Sequence, residues 1–131
     1  SQYSHALASL GGFALLLIVL SALSTIGRTA ENRCACGQVK RDYGDVVYRR
    51  GRAFMNAIEA AGPFIAATLA AVLVGAAPFW VNLFAALFLV ARIAVAIVHI
   101  ATTQQALRSA CWSVATLSSV ALAVLAILGA F

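Results

Sequence analysis

The chain has 131 residues, of which 63% are hydrophobic and only 10% are charged, and its mean hydropathy is +0.97. Charged residues alone make up about 25% of an ordinary soluble domain, so the composition excludes that class and predicts an integral membrane protein. The formal net charge is +5. A chain this short forms one small helical bundle with little interior for polar side chains. We therefore expect a homo-oligomer that buries them between subunits.

The hydropathy pattern predicts an all-α integral membrane fold, in which a single domain over residues 1–131 forms a four-transmembrane-helix bundle. The predicted helices cover about residues 6–27, 52–76, 79–101 and 108–131. The first apolar run has the roughly 20 residues that cross a bilayer core. It has no basic segment before it and no A-x-A cleavage site, so we expect a retained span rather than a signal peptide.

The segment between the first two helices, residues 28–51, is the main charged region. Seven basic and three acidic residues between positions 28 and 52 give this region a charge of +4. Short loops rich in Lys and Arg stay in the cytoplasm, which predicts a cytoplasmic loop and both termini on the opposite face. The same charge could attract anionic lipid headgroups or an acidic small molecule. The topology rule suffices to explain it.

The start of the second helix carries a polar stripe. Arg52, Asn56 and Glu59 lie at i, i+4 and i+7, which places all three on one helix face. Ionisable and amide side chains are costly in hydrocarbon, so this stripe is a candidate functional site. An alternative is an Arg52–Glu59 pair that only holds helices together. Pro63 favours a kink just past the stripe and would open room beside it.

A second polar stripe lies on the third helix, where Arg92 and His99 are seven residues apart on one face. A buried His is usually a structural hydrogen-bond partner. Arg92 could also pair with Glu59 across the helices, which would be a competing use of that carboxylate. Arg108 and Ser109 open the fourth helix, close to where the second helix begins.

Cys34 and Cys36 form a C-x-C pair in the charged loop. Because no further Cys or His cluster lies near them, we do not expect a metal site. On a cytoplasmic loop they should be reduced thiols. Cys111, in the fourth helix, is predicted to be a small apolar filler.

These motifs together resemble a known family. The quoted stretches are R-R-G-R-A-F-M-N-A-I-E-x-x-x-P-F, then A-R-I-A-x-x-x-x-H, then A-L-R-S-A-C-W. They are similar to the membrane-associated proteins in eicosanoid and glutathione metabolism, the MAPEG family, over roughly residues 46 to 116. The chain looks like a divergent bacterial member, which implies a multi-pass protein of the bacterial inner membrane.

The resemblance implies a homotrimer with glutathione as cofactor, bound between subunits near the cytoplasmic face. By motif position, Arg108 and Ser109 match the catalytic pair, in which the Arg stabilises the glutathione thiolate. The residues expected to hold the tripeptide are Arg49, Arg52, Asn56, Glu59, Arg92 and His99. Glutathione has two carboxylates and one ammonium, so arginines, an amide and a carboxylate suit it, and a guanidinium near sulfur favours thiolate.

Two hypotheses about function follow. The first is a glutathione-dependent transferase or peroxidase that acts on a hydrophobic electrophile arriving through the lipid. The second is a non-catalytic scaffold, or an accessory subunit of a larger membrane complex, in which the polar stripes only register helices. The third helix has His99 where the resemblance leads us to expect Tyr, which favours the second hypothesis. The first is favoured by the joint presence of Arg52, Asn56, Glu59, Arg108 and Ser109. We expect membrane lipid around the helices and no nucleic-acid partner.

The charged loop generates a prediction about topology. An impermeant maleimide should not label Cys34 or Cys36 in right-side-out vesicles until the membrane is permeabilised, because the loop should be cytoplasmic. Ready labelling of intact vesicles would show that the loop lies on the opposite side of the membrane from the one predicted.

Overall fold

The computed structural model describes residues 1–131 as four α-helices. They are α1 (Ser4–Thr25), α2 (Val46–Leu73), α3 (Pro78–Ala101) and α4 (Gln105–Gly129). Each is long and apolar enough to cross a membrane. The remaining backbone contains one isolated antiparallel bridge, between Arg33 and Val39, and no strand. The prediction of an all-helical fold with four candidate membrane spans is confirmed.

The two middle helices hold the bundle together. Both α2 and α3 pack against every other helix, whereas α1 and α4 do not contact each other. Only 26 of the 131 residues are buried within the chain, and large apolar side chains are exposed on all four helices. In a soluble protein such a surface would aggregate, but in a bilayer it is the surface that meets lipid.

Three phenylalanines from three helices meet in the centre of the bundle. The rings of Phe64 on α2 and Phe88 on α3 stack with their centroids 3.8 Å apart, and Phe13 on α1 meets each of them edge to face. Because lipid tails are as apolar as these side chains, such packing stabilises the bundle through van der Waals contact rather than through exclusion of water. The cluster fixes how α2 and α3 lie side by side at mid-depth.

Helix α2 begins six residues earlier than the predicted start at residue 52. The carboxylate of Asp45 accepts a hydrogen bond of 2.9 Å from the backbone N–H of Val47, which caps the helix. The predicted start was taken from hydropathy alone. The first two turns of α2 are rich in basic residues, so hydropathy placed the start of the helix too late. The segment between α1 and α2 therefore covers residues 26–45 rather than 28–51.

This shorter segment folds into a small hairpin that differs from prediction at its tip. Cys34 and Cys36 are joined by a disulfide, not present as two reduced thiols. The amide of Cys34 donates to Gln38 and the amide of Gly37 donates to Cys34, which draws the two cysteines together in a tight turn. Gly37 has a φ of +86°, which only glycine adopts without strain. A vesicle-labelling experiment on these sulfurs must therefore include a reductant.

The opposite end of the bundle is closed by side chains that cap helix ends. Asn82 on α3 accepts a 2.9 Å hydrogen bond from the amide of Ala6 in the first turn of α1 and donates to the carbonyl of Gln2. Tyr3 donates its hydroxyl hydrogen to the carbonyl of Ala76 in the α2–α3 turn. These bonds satisfy backbone groups that would otherwise be unpaired.

Candidate functional site

A hydrogen bond between α2 and α3 is the centre of the candidate site. The guanidinium of Arg92, which is buried in α3, donates from Nη2 to Oδ1 of Asn56 at 2.8 Å. The Nε–H of Arg92 has no partner. One of the cations predicted to face the site is therefore inside the bundle, where it is hydrogen-bonded to the one predicted amide and keeps an unused N–H donor.

Both residues line a cavity of about 220 Å³ between α2, α3 and α4. Glu59 and Pro63 contribute from α2, and Trp112 and Ser119 from α4. The hydroxyl of Ser119 is buried and unpartnered. The cavity thus combines a guanidinium, an amide, a carboxylate and a hydroxyl with aromatic walls, which is the mixed character of a small-molecule site.

Glu59 is exposed on the surface of the bundle, where its carboxylate borders the cavity. Pro63, four residues later, has no N–H to donate to the Glu59 carbonyl, so that backbone oxygen has no helical partner from this position. Helix α2 nevertheless continues through Pro63 to Leu73. Glu59 therefore places its carboxylate at the cavity rim.

The arginines at the start of α2 lie elsewhere. Arg52 lines a second cavity, formed with the 26–45 segment, and so does not form the pair with Glu59 that the sequence left open. Arg49 donates from Nε to the carbonyl of Ile100 at 3.0 Å and from Nη1 to that of Tyr43 at 2.7 Å. Through these two hydrogen bonds, Arg49 links the end of α3 to the loop before α2.

His99 is buried near the loop end of α3, and neither ring nitrogen has a hydrogen-bond partner. The arginines within electrostatic range of it are Arg49 and Arg52 on α2, Arg108 on α4, and Arg92 on its own helix. The expectation that a buried His serves as a structural hydrogen-bond partner is not met inside one subunit. Both nitrogens are enclosed within the bundle and have no hydrogen-bond partner there.

Arg108 and Ser109 lie in the first turn of α4, at the loop end of the bundle. The guanidinium carbon of Arg108 is 5.6 Å from the ring centroid of Tyr43, close enough for a cation–π contact. Ser109 is exposed, and its carbonyl accepts a hydrogen bond from the hydroxyl of Ser113. Neither residue lines the cavity that holds Glu59.

The fold therefore brings together Asn56, Glu59 and Arg92 at one cavity, and leaves Arg49, Arg52, Arg108 and Ser109 closer to the loop. Sequence reasoning missed Tyr43, which contacts Arg108, accepts from Arg49 and meets the ring of Tyr48 edge to face at 5.1 Å. No helical periodicity marks a loop residue, so only its position among basic residues could have suggested this role. No group of three or more His, Cys, Asp or Glu side chains is placed to hold a metal ion.

Comparison with known protein families identifies the chain. The sequence model of the MAPEG family matches residues 6–128, nearly the whole length. The chain belongs to the MAPEG family. It is accordingly a multi-pass integral membrane protein, with four helices long and apolar enough to span the membrane. No curated protein matches the sequence significantly. The MAPEG match covers all of the residues that form the cavity.

The Asn56–Arg92 bond generates a prediction about stability. Asn56→Leu should lower the free energy of unfolding by about 1.5 to 3 kcal/mol, because it leaves a buried guanidinium unpaired. Adding Arg92→Met should recover part of that loss, since no buried charge then remains. The four corners of this double-mutant cycle can be compared by reversible unfolding in detergent. Additive effects of the two changes would show that the bond contributes no coupling.

Proposed function

We propose that this MAPEG protein is a glutathione-dependent transferase or peroxidase that acts on a hydrophobic electrophile dissolved in the membrane. The observation that supports it best is the cavity in which Arg92, Asn56 and Glu59 meet in a member of this family. In this proposal Glu59 holds the ammonium of glutathione. Arg92, Asn56 and, from the loop end, Arg52 hold its carboxylate and peptide groups.

The size of the cavity supports a site shared between subunits. Pockets for small molecules usually measure about 300 to 1,000 Å³, whereas this one measures about 220 Å³. Glu59 is exposed beside it, and Arg108 and Ser109 lie outside it. We propose that a homotrimer completes the site. A neighbouring subunit packed on this face would cover Glu59 and would supply cations that one chain does not place at the cavity.

The proposed chemistry needs only the thiolate and the electrophile. The sulfur of glutathione attacks the electrophilic carbon, a carbon–sulfur bond forms, and the leaving group departs with its electron pair. With a lipid hydroperoxide, two glutathione molecules are instead oxidised to the disulfide while the hydroperoxide is reduced to alcohol and water. Arg108 would stabilise the thiolate by its positive charge, and the Ser109 hydroxyl would donate a hydrogen bond to sulfur.

A scaffold function is the second candidate, and the Asn56–Arg92 bond is the observation that favours it. That bond already joins α2 to α3 without any ligand. In this alternative the polar residues only align helices and subunits, and the protein serves as an accessory subunit of a larger membrane complex.

Glutathione binding separates the two candidates. If the first is right, millimolar glutathione should raise the melting temperature of the wild-type protein, because a ligand that binds only the folded state stabilises it by mass action. Glu59→Gln should reduce the shift, since a charge-assisted hydrogen bond of about 1.5 to 3 kcal/mol becomes a neutral one. Ile58→Ala, a neighbouring exposed change, is the control. If millimolar glutathione leaves the melting temperature of the wild-type protein unchanged, the enzyme proposal is wrong.

Arg108→Ala should separate binding from turnover. Because its charge is needed mainly as the thiolate forms and reacts, the variant should keep most of the glutathione-induced thermal shift yet lose conjugation of an aryl halide by about a hundredfold or more. Equal conjugation rates in wild type and variant would remove Arg108 from the mechanism.

The proposed homotrimer can be tested by measuring the mass of the intact particle. Native mass spectrometry in mild detergent should give three chains per particle. A monomer that retains full helicity and glutathione binding would contradict a site built between subunits.

A further inference from the structure

The disulfide between Cys34 and Cys36 is a reactive group outside the cavity that holds Glu59. Cys36 is exposed at the tip of the hairpin, and Cys34 is half-buried, with the exposed Ala35 between them. Structural disulfides resist reduction, whereas exposed disulfides are the labile ones and serve regulatory or catalytic purposes. The exposure of this bond therefore points to a reactive disulfide.

This disulfide closes too short a loop to act mainly as a structural cross-link. The two cysteines are two positions apart, so the bond encloses only Ala35. A disulfide stabilises a fold by restricting the unfolded chain, and this effect shrinks with the length of the enclosed loop. Backbone hydrogen bonds already hold the hairpin, from the N–H of Lys40 to the carbonyl of Asn32 at 2.7 Å and from Cys34 to Gln38 at 2.8 Å. The hairpin should therefore persist when the disulfide is reduced.

The same hairpin keeps the two sulfurs close to each other without the bond. Cys34 lies in its paired part, where its carbonyl also accepts a 2.9 Å hydrogen bond from the amide of Gly37. Gly37, with a φ of +86°, turns the chain back directly after Cys36. Holding two reacting groups together favours their reaction with each other over reaction with a second molecule. The pair can therefore cycle between dithiol and disulfide without refolding of the segment.

The surroundings of the disulfide are cationic. Between Asn32 and Arg41 the chain has three basic residues, Arg33, Lys40 and Arg41, and no acidic residue. Thiolates are the reactive species in thiol–disulfide exchange, and nearby Lys and Arg side chains favour them. A basic surface also raises the local concentration of an anionic reactant. The hairpin therefore favours a small thiol that carries net negative charge, as glutathione does with its two carboxylates and one ammonium.

The predicted topology places this disulfide where a small thiol is abundant. The basic charge of the segment predicts a cytoplasmic loop. Disulfides are rare in the cytosol, and those that occur are usually transient and either catalytic or redox-sensing. Glutathione is the main thiol buffer of that compartment. A disulfide in this loop is thus one that forms and breaks.

We propose that Cys34 and Cys36 form a thiol–disulfide exchange site for a small anionic thiol of the glutathione class, in which Cys36 is the sulfur that the thiol attacks. The site is independent of the glutathione cavity, because neither cysteine lines it.

The exchange takes place in two displacements at sulfur. The thiolate of one glutathione attacks Sγ of Cys36, the bond to Cys34 breaks, and its electron pair leaves on Sγ of Cys34, which takes a proton from water. The thiolate of a second glutathione then attacks the glutathione sulfur of the mixed disulfide, and Cys36 leaves as a thiolate. Two glutathione molecules are oxidised to glutathione disulfide while the protein disulfide is reduced to a dithiol. Excess glutathione disulfide drives the reverse reaction.

The first experiment measures the redox state of the pair in the purified full-length protein in detergent, with Cys111→Ser as background so that no third thiol reacts. Samples equilibrated with glutathione and glutathione disulfide at varied ratios are alkylated, and their masses are measured. The pair should pass reversibly between disulfide and dithiol as the ratio changes. A pair that stays oxidised in millimolar glutathione alone, or stays reduced in excess glutathione disulfide, would overturn the proposal.

Salt tests the preference for an anionic thiol. Raising the salt from about 10 mM to about 1 M shortens the Debye length from about 30 Å to about 3 Å. The rate of reduction by glutathione should therefore fall several-fold, whereas the rate with cysteamine, a cationic thiol, should stay the same or rise. Equal salt dependence for the two thiols would remove the charge preference from the proposal.

Cys34→Ser and Cys36→Ser are a matched pair of variants that each leave one sulfur in the hairpin. In excess glutathione disulfide, the Cys34→Ser variant should gain one glutathionyl group about tenfold faster than the Cys36→Ser variant, because exchange depends on access to the sulfur and Cys36 is the more exposed. Equal rates would contradict the assignment of Cys36.

The double variant, Cys34→Ser with Cys36→Ser, separates this proposal from the two simpler possibilities. Its melting temperature should stay within about 2 °C of the wild-type value, because so short a cross-link contributes little. A much larger loss would show a structural disulfide and overturn the proposal. The double variant should also keep the glutathione-induced thermal shift, so the exchange site and the glutathione cavity can fail separately.

Discussion

A buried arginine in the apolar third helix is the constraint on which the rest of the structure depends. A guanidinium in hydrocarbon costs several kcal/mol unless it finds polar partners inside the protein, because lipid offers none. Arg92 finds one in Asn56, which requires α2 to run beside α3 in one register. Phe64 lies about two turns from Asn56 along α2, and Phe88 lies about one turn from Arg92 along α3. The stacking of their rings keeps the two helices in the same register. Polar and apolar contacts therefore specify the same pairing.

The membrane fold was predictable because it depends on the most regular signals in the sequence. Long apolar runs give the helices, and the spacing of Asn56 and Glu59 gives the face of α2 that borders the cavity. Arg92 was predictable as a member of that site, because an arginine in an apolar helix needs a partner. Its pairing with Asn56 rather than with Glu59 was not predictable, since the choice depends on the depth at which α2 and α3 meet.

The loop end of the bundle was less predictable because its structure depends on contacts distant in sequence. The cap that starts α2 is a single carboxylate, that of Asp45, in a region where hydropathy shows only charge. The expectation of reduced thiols at Cys34 and Cys36 rested on the predicted cytoplasmic position of the loop, and it did not consider the tight turn at Gly37 that draws the two cysteines together. Arg52, one turn before Asn56 on α2, lines a different cavity, to which the 26–45 segment contributes the opposite wall. No helical periodicity encodes how a loop folds back.

The pairing of α2 with α3 also bears on how the protein enters the membrane during synthesis. The most apolar stretch of α2 has a mean hydropathy of only 1.5, against 2.4 in α1 and 2.5 in α3. The second helix therefore gains least from entering lipid alone, and it does so with Asn56 unpaired. The next helix is strongly apolar, carries the donor for Asn56, and follows after a connection of four residues, 74–77. Insertion as a two-helix hairpin would let α3 bring α2 into the bilayer, with the buried hydrogen bond formed as the pair enters.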